Sequence, residues 1–311
     1  MSDIHNAALI GLDWGTTSLR AHLIGNDGVV LDSLSSAEGI MSSEGKDFKN
    51  TFERVLKPWL NENPALPVVA SGMITSRNGW VETPYLPLPA GSSEFASALT
   101  RFNVDDTQKI YFVPGASYEN KFGSPDIMRG EETQIIGCIS QEESKSEIFL
   151  LPGTHSKWAK STSGEIINFM SFMTGEVYAL LKQHSILGTL MTPRDEPLSD
   201  GFINGVESRF RSDTSLLHQI FSARTLALFE QLPSNEISDF LSGLLIGEEV
   251  KSAKQNFDID GSQTVQIIGR GDLTQRYATA LDKCNISNSI ANEYAAATGL
   301  YKIANKAGII K

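Results

Sequence analysis

The 311-residue chain is 41% hydrophobic and 20% charged, which excludes a disordered polymer and accommodates two domains of ordinary size. Its net charge of −11 disfavours nucleic acid and anionic membranes as partners, although a local arginine cluster can still receive a small anion. No run of about 18 apolar residues occurs, the polar start lacks the marks of a secretory signal, and Cys138 and Cys284 form no CxxC pair, so a cytoplasmic protein with two buried free thiols is expected.

The chain opens as an antiparallel β-meander. Strands are predicted at 7–14, 18–24 and 29–34, the last two joined by the turn signal Asn26-Asp27-Gly28. Residues 46–62 have helical spacing, with Phe48, Phe52, Val55, Leu56 and Trp59 on one face. Short apolar runs at 68–70 and 110–113 read as strands. A helix over 130–140 carries glutamates in its first turn, which suits the helix dipole. A second strand set begins at 147–151, and 157–160 can pair with 165–170 across Ser163-Gly164. The stretch 174–251 is mostly helical, 265–268 is a strand, and 272–283 and 292–305 are helices. The four histidines His5, His22, His184 and His218 show no ligating or nucleophilic spacing and are read as structural or surface groups.

One segment echoes another. Gly15-Thr16-Thr17-Ser18-Leu19-Arg20-Ala21 is matched by Gly153-Thr154-His155-Ser156-Lys157-Trp158-Ala159, each after an apolar strand and before a polar strand, a glycine turn and a further strand. The repeat implies two similar domains facing each other across a cleft.

The loops carry the chemistry. In Asp13-Trp14-Gly15-Thr16-Thr17-Ser18 a glycine permits a tight turn that aims backbone N–H groups at one point, and such a nest binds phosphate. The hydroxyls of Thr16, Thr17 and Ser18 add donors. Asp13 cannot attract phosphate by its charge, so its natural role is to hold Mg²⁺. Gly153, Thr154, His155 and Ser156 suit the other side of a nucleotide's phosphates. In Gly269-Arg270-Gly271 a strand gives way to a helix whose free N–H groups and open backbone suit adenosine. No Walker loop and no protein-kinase motif set occurs.

Longer segments narrow the resemblance. Ala70-Ser71-Gly72-Met73-Ile74-Thr75-Ser76-Arg77-Asn78-Gly79-Trp80, Met128-Arg129-Gly130-Glu131-Glu132-Thr133-Gln134, Leu151-Pro152-Gly153-Thr154-His155-Ser156-Lys157-Trp158 and Met173-Thr174-Gly175-Glu176 together resemble the 2-dehydro-3-deoxygalactonokinase family. The resemblance implies an α/β fold of two ribonuclease H-like, actin-like ATPase domains with mixed five-stranded sheets around an ATP cleft. It places the first domain at 1–143 plus 292–311 and the second at 144–291. It implies phosphorylation of 2-dehydro-3-deoxy-D-galactonate at its 6-hydroxyl by ATP with Mg²⁺, in galactonate catabolism, by a monomer or homodimer.

A carboxylate must take the acceptor's proton, and the superfamily places it at the start of the helix before the second phosphate loop. Asp126, Glu131 and Glu132 are the candidates. Asp126 is favoured by sugar-kinase usage, and Glu131 by its place at the helix start. The substrate's own carboxylate calls for an arginine fork, with Arg77 and Arg129 as candidates and Arg20 as a third. Ser76, Asn78 and Glu176 can line the same pocket. Trp80 serves either there or in packing, and Lys157 meets a phosphate or forms a surface pair. Two rival activities stand beside this one: an exopolyphosphatase-type phosphohydrolase, suggested by Gly130-Glu131-Glu132, and a kinase for the epimeric 2-dehydro-3-deoxygluconate. A chaperone or filament protein of the actin/Hsp70 type is disfavoured by the short chain.

Overall fold

The computed structural model describes residues 4–42, 47–120, 123–140, 145–193 and 198–310. The expected helix start at Lys46 and the expected domain boundary at 143 lie outside them. From the N-terminus come β1 (Ala7–Trp14), β2 (Leu19–Gly25), β3 (Val30–Ser36), α1 (Phe48–Leu60) and β4 (Val68–Ser71). Then follow β5 (Tyr85–Pro87), β6 (Ala90–Gly91), α2 (Ser92–Ser97), β7 (Thr100–Asn103), β8 (Lys109–Phe112), β9 (Gly115–Glu119), β10 (Pro125–Met128) and α3 (Glu131–Cys138). The second half contains β11 (Ser146–Leu151), β12 (Ser156–Thr162), β13 (Glu165–Phe172), α4 (Thr174–His184), α5 (Asp200–Arg211), α6 (Leu216–Leu228), α7 (Ile237–Asn256), β14 (Val265–Ile267), α8 (Gly271–Lys283), β15 (Asn288–Ile290) and α9 (Ala295–Lys306). The chain divides into two compact units. Unit 1 takes Met1–Ser146, Ser161–Phe169 and Asn292–Lys311, and unit 2 takes Glu147–Lys160 and Met170–Ala291.

The sheet of unit 1 has the order β3-β2-β1-β4-β8-β7. β1, β4 and β8 are parallel, and β2, β3 and β7 run against their neighbours. The sheet therefore has six strands where five were expected. The addition is β7, whose mixed residues Thr100-Arg101-Phe102-Asn103 give little strand signal. The β2–β3 turn forms where Asn26-Asp27-Gly28 predicts it: Gly28 takes φ 80°, and the Asp27 carboxylate accepts the Val29 N–H at 3.0 Å.

Central β1 is apolar along most of its length because both of its faces are covered. Ile10, Leu12 and Trp14 join one buried cluster with Phe48, Phe52, Leu56 and Trp59 of α1, whose first turn is capped by Asp47. On the other face Gly11 admits Leu300 of α9, since a Cβ there would lie 3.0 Å from the leucine. Trp80 packs edge-on against Trp14, Phe52, Phe102 and Phe112, so it is a packing residue. α3 and α9 cross so closely that a Cβ on Gly299 would sit 1.9 Å from the Thr133 carbonyl oxygen, and one on Gly137 1.9 Å from that of Ala295. A small sheet of order β10-β9-β5 completes the unit.

In unit 2, β11, β14 and β15 are parallel, and β12 and β13 follow β11 in the sheet order β15-β14-β11-β12-β13-β6. The sixth strand again exceeds expectation. The tip of the β12–β13 hairpin is counted with unit 1, where β6 pairs with Glu165 and Ile166. Both turn residues, Ser163 and Gly164, have positive φ, as a two-residue hairpin demands. α7 is buried on nearly every side. It crosses α5 at Gly205 and Gly243, where added Cβ atoms would meet backbone oxygens of Phe240 and Phe202 at 2.3 and 2.2 Å. Cys284 is buried, and Cys138 is half-buried rather than fully enclosed. No helix among the described residues is long and apolar enough to cross a membrane.

The α3–α9 crossing yields a stability prediction. Gly299→Ala should destabilise the protein by about 2 kcal/mol or more, because backbone rather than a flexible side chain blocks the new methyl. Gly261→Ala, where nothing lies within 4 Å, should change stability by less than about 0.5 kcal/mol. Urea denaturation of both variants makes the comparison.

Candidate active site

In unit 1 the parallel register sets the site. Asp13 at the end of β1 lies opposite Ser71 at the end of β4. The next residue, Gly72, takes φ 97° and passes so near Trp14 that a Cβ would lie 2.7 Å from its carbonyl oxygen. Gly130, with φ 108°, fits against the Cα of Gly72. The carboxyl ends of β1 and β4 and the amino end of α3 therefore converge, as ligand sites of α/β sheets do. The turn after β1 is closed by the Gly15 N–H on the Ser18 carbonyl at 2.9 Å. It is backed by Gly39 to Met41, whose Ile40 and Met41 N–H groups bind the carbonyls of Gly15 and Thr16. Thr16 and Thr17 are exposed, and Ser18 is half-buried.

Asp13 keeps only 15% of its side chain exposed, and its carboxylate lies 3.7 Å from Arg20 across the β1–β2 pair. Among the described residues no group of three or more His, Cys, Asp or Glu gathers around one point. Mg²⁺ usually takes only one or two protein carboxylates and completes its shell with phosphate and water, so a single aspartate before the Gly15–Ser18 turn fits that ion.

The segment after Gly72 folds back on itself, with the Trp80 N–H on the Ile74 carbonyl and the Thr83 N–H on that of Thr75. Arg77 and Asn78 are exposed on it, and Arg77 faces Glu82 at 3.4 Å. Ser76 is half-buried and donates to the Met73 carbonyl. Arg129, expected as a substrate clamp, is buried. Its guanidinium donates to the carbonyls and hydroxyls of Thr75 and Thr83 at 2.7 to 3.0 Å and stacks 4.2 Å from the centre of the Tyr85 ring. Its fork thus holds the segment that carries Arg77.

The three carboxylate candidates separate clearly. Asp126 sits on β10, opposite Tyr118, with its carboxylate on the next backbone N–H, and is not at the helix start. Glu131 opens α3, is half-buried, and accepts the Arg129 N–H at 2.9 Å. Glu132 is fully buried and accepts from the Gly130 N–H at 2.7 Å and the Thr133 hydroxyl at 2.9 Å. Burial, then the neighbouring Glu131 charge, pushes the Glu132 carboxyl up to about 7.

In unit 2 the loops Gly153–Ser156 and Gly269–Gly271 follow the parallel strands β11 and β14, and Gly269 packs against Pro152. A third segment joins them. A Cβ on Gly175 would lie 2.6 Å from the Gly153 carbonyl oxygen, the Glu176 N–H binds that of Thr154, and the carboxylate of Glu176 meets His155 at 2.5 Å. Glu176 therefore sits beside the Gly153–Ser156 loop in unit 2. Ser156 turns its buried hydroxyl inward to Glu249, away from the loop's exposed side. Lys157 is buried against Ser171 rather than on the surface.

Beside Gly153 lies a cavity of about 160 Å³, lined in part by Tyr178 of α4, Ser242 and Leu245 of α7, and Leu273, Arg276 and Tyr277 of α8. Arg276 is braced by Asp239 at 2.8 Å. The cavity is walled by helices and not by Gly269, Arg270 and Gly271, which lie at the amino end of α8. Sequence reasoning missed these helical residues. Glu249, the partner of Ser156, had a partial signal as one of two acids in Leu244-Leu245-Ile246-Gly247-Glu248-Glu249-Val250, whereas Tyr178 and Tyr277 had none.

The chain is similar to known proteins along its length. Residues 13–303 match the 2-keto-3-deoxy-galactonokinase family. A 2-dehydro-3-deoxygalactonokinase of Escherichia coli is 35% identical, over 96% of this chain and 98% of its own. A solved structure from Sinorhizobium meliloti carrying the same assignment superposes with a TM-score of 0.87 at 31% identity, over 96% of this chain and 98% of that one. The component A of (R)-2-hydroxyglutaryl-CoA dehydratase from Acidaminococcus fermentans, 11% identical, superposes with a TM-score of 0.50 over 96% of this chain and 98% of that one, and shows the shared fold alone. The fold is the two-domain actin-like ATPase fold.

Glu132 makes the stability of unit 1 depend on pH. Its folded pKa is raised, so the burial penalty is absent below about pH 4.5 and grows as pH rises towards 7. Glu132→Gln keeps the shape and removes that penalty. It should match the parent protein near pH 4.5 and exceed it by roughly 3 kcal/mol at pH 8, as denaturation midpoints across this range would show.

Proposed function

Since this chain belongs to the 2-keto-3-deoxy-galactonokinase family, we propose that it transfers the γ-phosphoryl group of ATP to the 6-hydroxyl of 2-dehydro-3-deoxy-D-galactonate. The family match carries this reading, because its span of 13–303 includes all three glycine loops and the α3 start. An ATP-dependent reaction agrees with the cytoplasmic location expected from the sequence.

Phosphoryl transfer asks little covalent work of a protein and much positioning. In unit 1, Gly15, Thr16, Thr17 and Ser18 are assigned to phosphate. Asp13 would hold Mg²⁺, directly or through water. When bound, Mg²⁺ neutralises charge that builds on the phosphate oxygens. Arg77, exposed and, among the described residues, braced by exposed Glu82, is assigned to the substrate carboxylate, with Ser76 and Asn78 beside it. Arg129 serves by fixing that segment. In unit 2, Gly153, Thr154 and His155 are assigned to phosphate, and Gly269, Arg270 and Gly271 together with the neighbouring cavity to adenosine. The substrate's 6-hydroxyl oxygen attacks the γ-phosphorus, the bond to the β,γ-bridging oxygen breaks, ADP leaves, and the hydroxyl proton passes to a carboxylate. Glu131 is assigned that role, because it is at the helix start and less enclosed than Glu132.

The test is ADP release with ATP-Mg and a panel of acceptors: 2-dehydro-3-deoxygalactonate, its gluconate epimer, neutral hexoses and no acceptor. Release that depends on the galactonate compound is expected. A preference for the epimer would reassign the substrate, and release that no acceptor stimulates would favour the phosphohydrolase. Glu131→Gln should lower kcat by about 10² to 10⁴, with Asp126→Asn much less affected. Arg77→Ala should raise KM for the sugar acid by about tenfold and leave that for ATP unchanged.

A further inference from the structure

A heavily bonded carboxylate of unit 2 is not on a loop. Glu249, in the middle of α7, is 1% exposed. One of its oxygens accepts the Ser156 hydroxyl and the Trp158 indole N–H, each at 2.8 Å. The other accepts the Tyr277 hydroxyl at 2.7 Å and the Thr174 hydroxyl. Burial raises its pKa, and the four donors work against that rise.

The donors come from separate segments. Ser156 closes the Gly153–His155 loop and Trp158 follows it on β12. Thr174 is the first residue of α4 and precedes Gly175, which touches Gly153 and Thr154. Tyr277 is on α8, and it lines the cavity together with Thr174 and Gly153. A single carboxylate thus ties the loop to two walls of the cavity beside it. Four hydrogen bonds converging on one buried carboxylate are geometrically exacting.

We propose that Glu249 is a positioning residue for the nucleotide: by accepting from Ser156, Trp158, Thr174 and Tyr277 it holds the Gly153–His155 loop and the cavity walls in the arrangement that binds ATP. The proposal rests on the assignment of that loop and cavity to ATP under the preceding heading. Glu249 itself touches no substrate, so its effect is on ATP affinity and not on the sugar acid.

The chemistry of the donors makes a sharp distinction between substitutions. The Trp158 N–H can only donate, whereas the hydroxyls of Ser156, Thr174 and Tyr277 can turn and accept. In Glu249→Gln the amide oxygen can keep Trp158, and the amide NH₂ can donate to the hydroxyls of Thr174 and Tyr277. Glu249→Ala strands all four donors.

The experiment uses the full chain. The affinity of the parent protein for ATP is measured by calorimetry without sugar acid, and KM for each substrate by ADP release. Glu249→Ala is expected to weaken ATP binding and raise KM for ATP by about tenfold or more, with KM for the sugar acid within about twofold. Glu249→Gln is expected to recover to within about threefold of the parent. Should the alanine variant not fold, Tyr277→Phe and Thr174→Val each remove one donor, and each is expected to raise KM for ATP by about threefold or more. Equal losses for both substrates, or a lowered Tm with neither KM changed, would show a merely structural role and overturn the proposal. ATP binding unchanged in every variant would overturn it as well. A parent protein that binds no ATP would instead overturn the assignment on which the proposal stands.

Discussion

The parallel pairing of β1 with β4 is the constraint on which the rest of unit 1 depends. Register places Asp13 beside Ser71, so the two strands leave the sheet together and in the same direction. Only glycine at 72 can then pass the Trp14 carbonyl, and only glycine at 130 can approach Gly72 with φ 108°. The turn after β1, the Gly72–Thr83 segment and the first turn of α3 are gathered by these backbone contacts. Arg129 completes the arrangement from beneath, through Thr75 and Thr83.

Unit 2 solves the same problem with a different material. Its loops also follow parallel strands, β11 and β14, but the third segment and the cavity walls come from helices. Helices cannot be keyed to loops by a strand ladder. A buried carboxylate with four donors does the keying, and it must be fully satisfied because an unpaired donor in that interior is costly. The buried glutamates Glu132 and Glu249 thus differ in kind. Glu132 has few donors and a charged neighbour, and Glu249 has four donors.

Much of the fold was legible in local pattern. The apolar run to Trp14, the Asn26-Asp27-Gly28 and Ser163-Gly164 turns, and the stripe from Phe48 to Trp59 each combine a period with a turn or cap, and each stands where expected. The echo between the Gly15 and Gly153 loops was equally legible, since both follow a first strand and enter a hairpin. The short strands β5, β6, β7, β9, β10 and β15 were not, because they lack the apolar, β-branched run that marks the equally short β4, β8 and β14. Their existence depends on partners elsewhere in the chain.

Side-chain roles divide along the same line. The sequence by itself determined which residues are capable of the chemistry: glycines able to turn tightly, hydroxyls able to donate, and acids and arginines in the segments that carry the family likeness. Spacing along one chain could not say that Arg129 spends its fork on Thr75 and Thr83 while Arg77 stays exposed, nor that Asp126 lies on a strand and Glu131 on a helix start. Nor could it show that Glu249 gathers donors from positions 156, 158, 174 and 277. Those outcomes depend on long-range packing, which alone decides which polar groups lose water and must find each other.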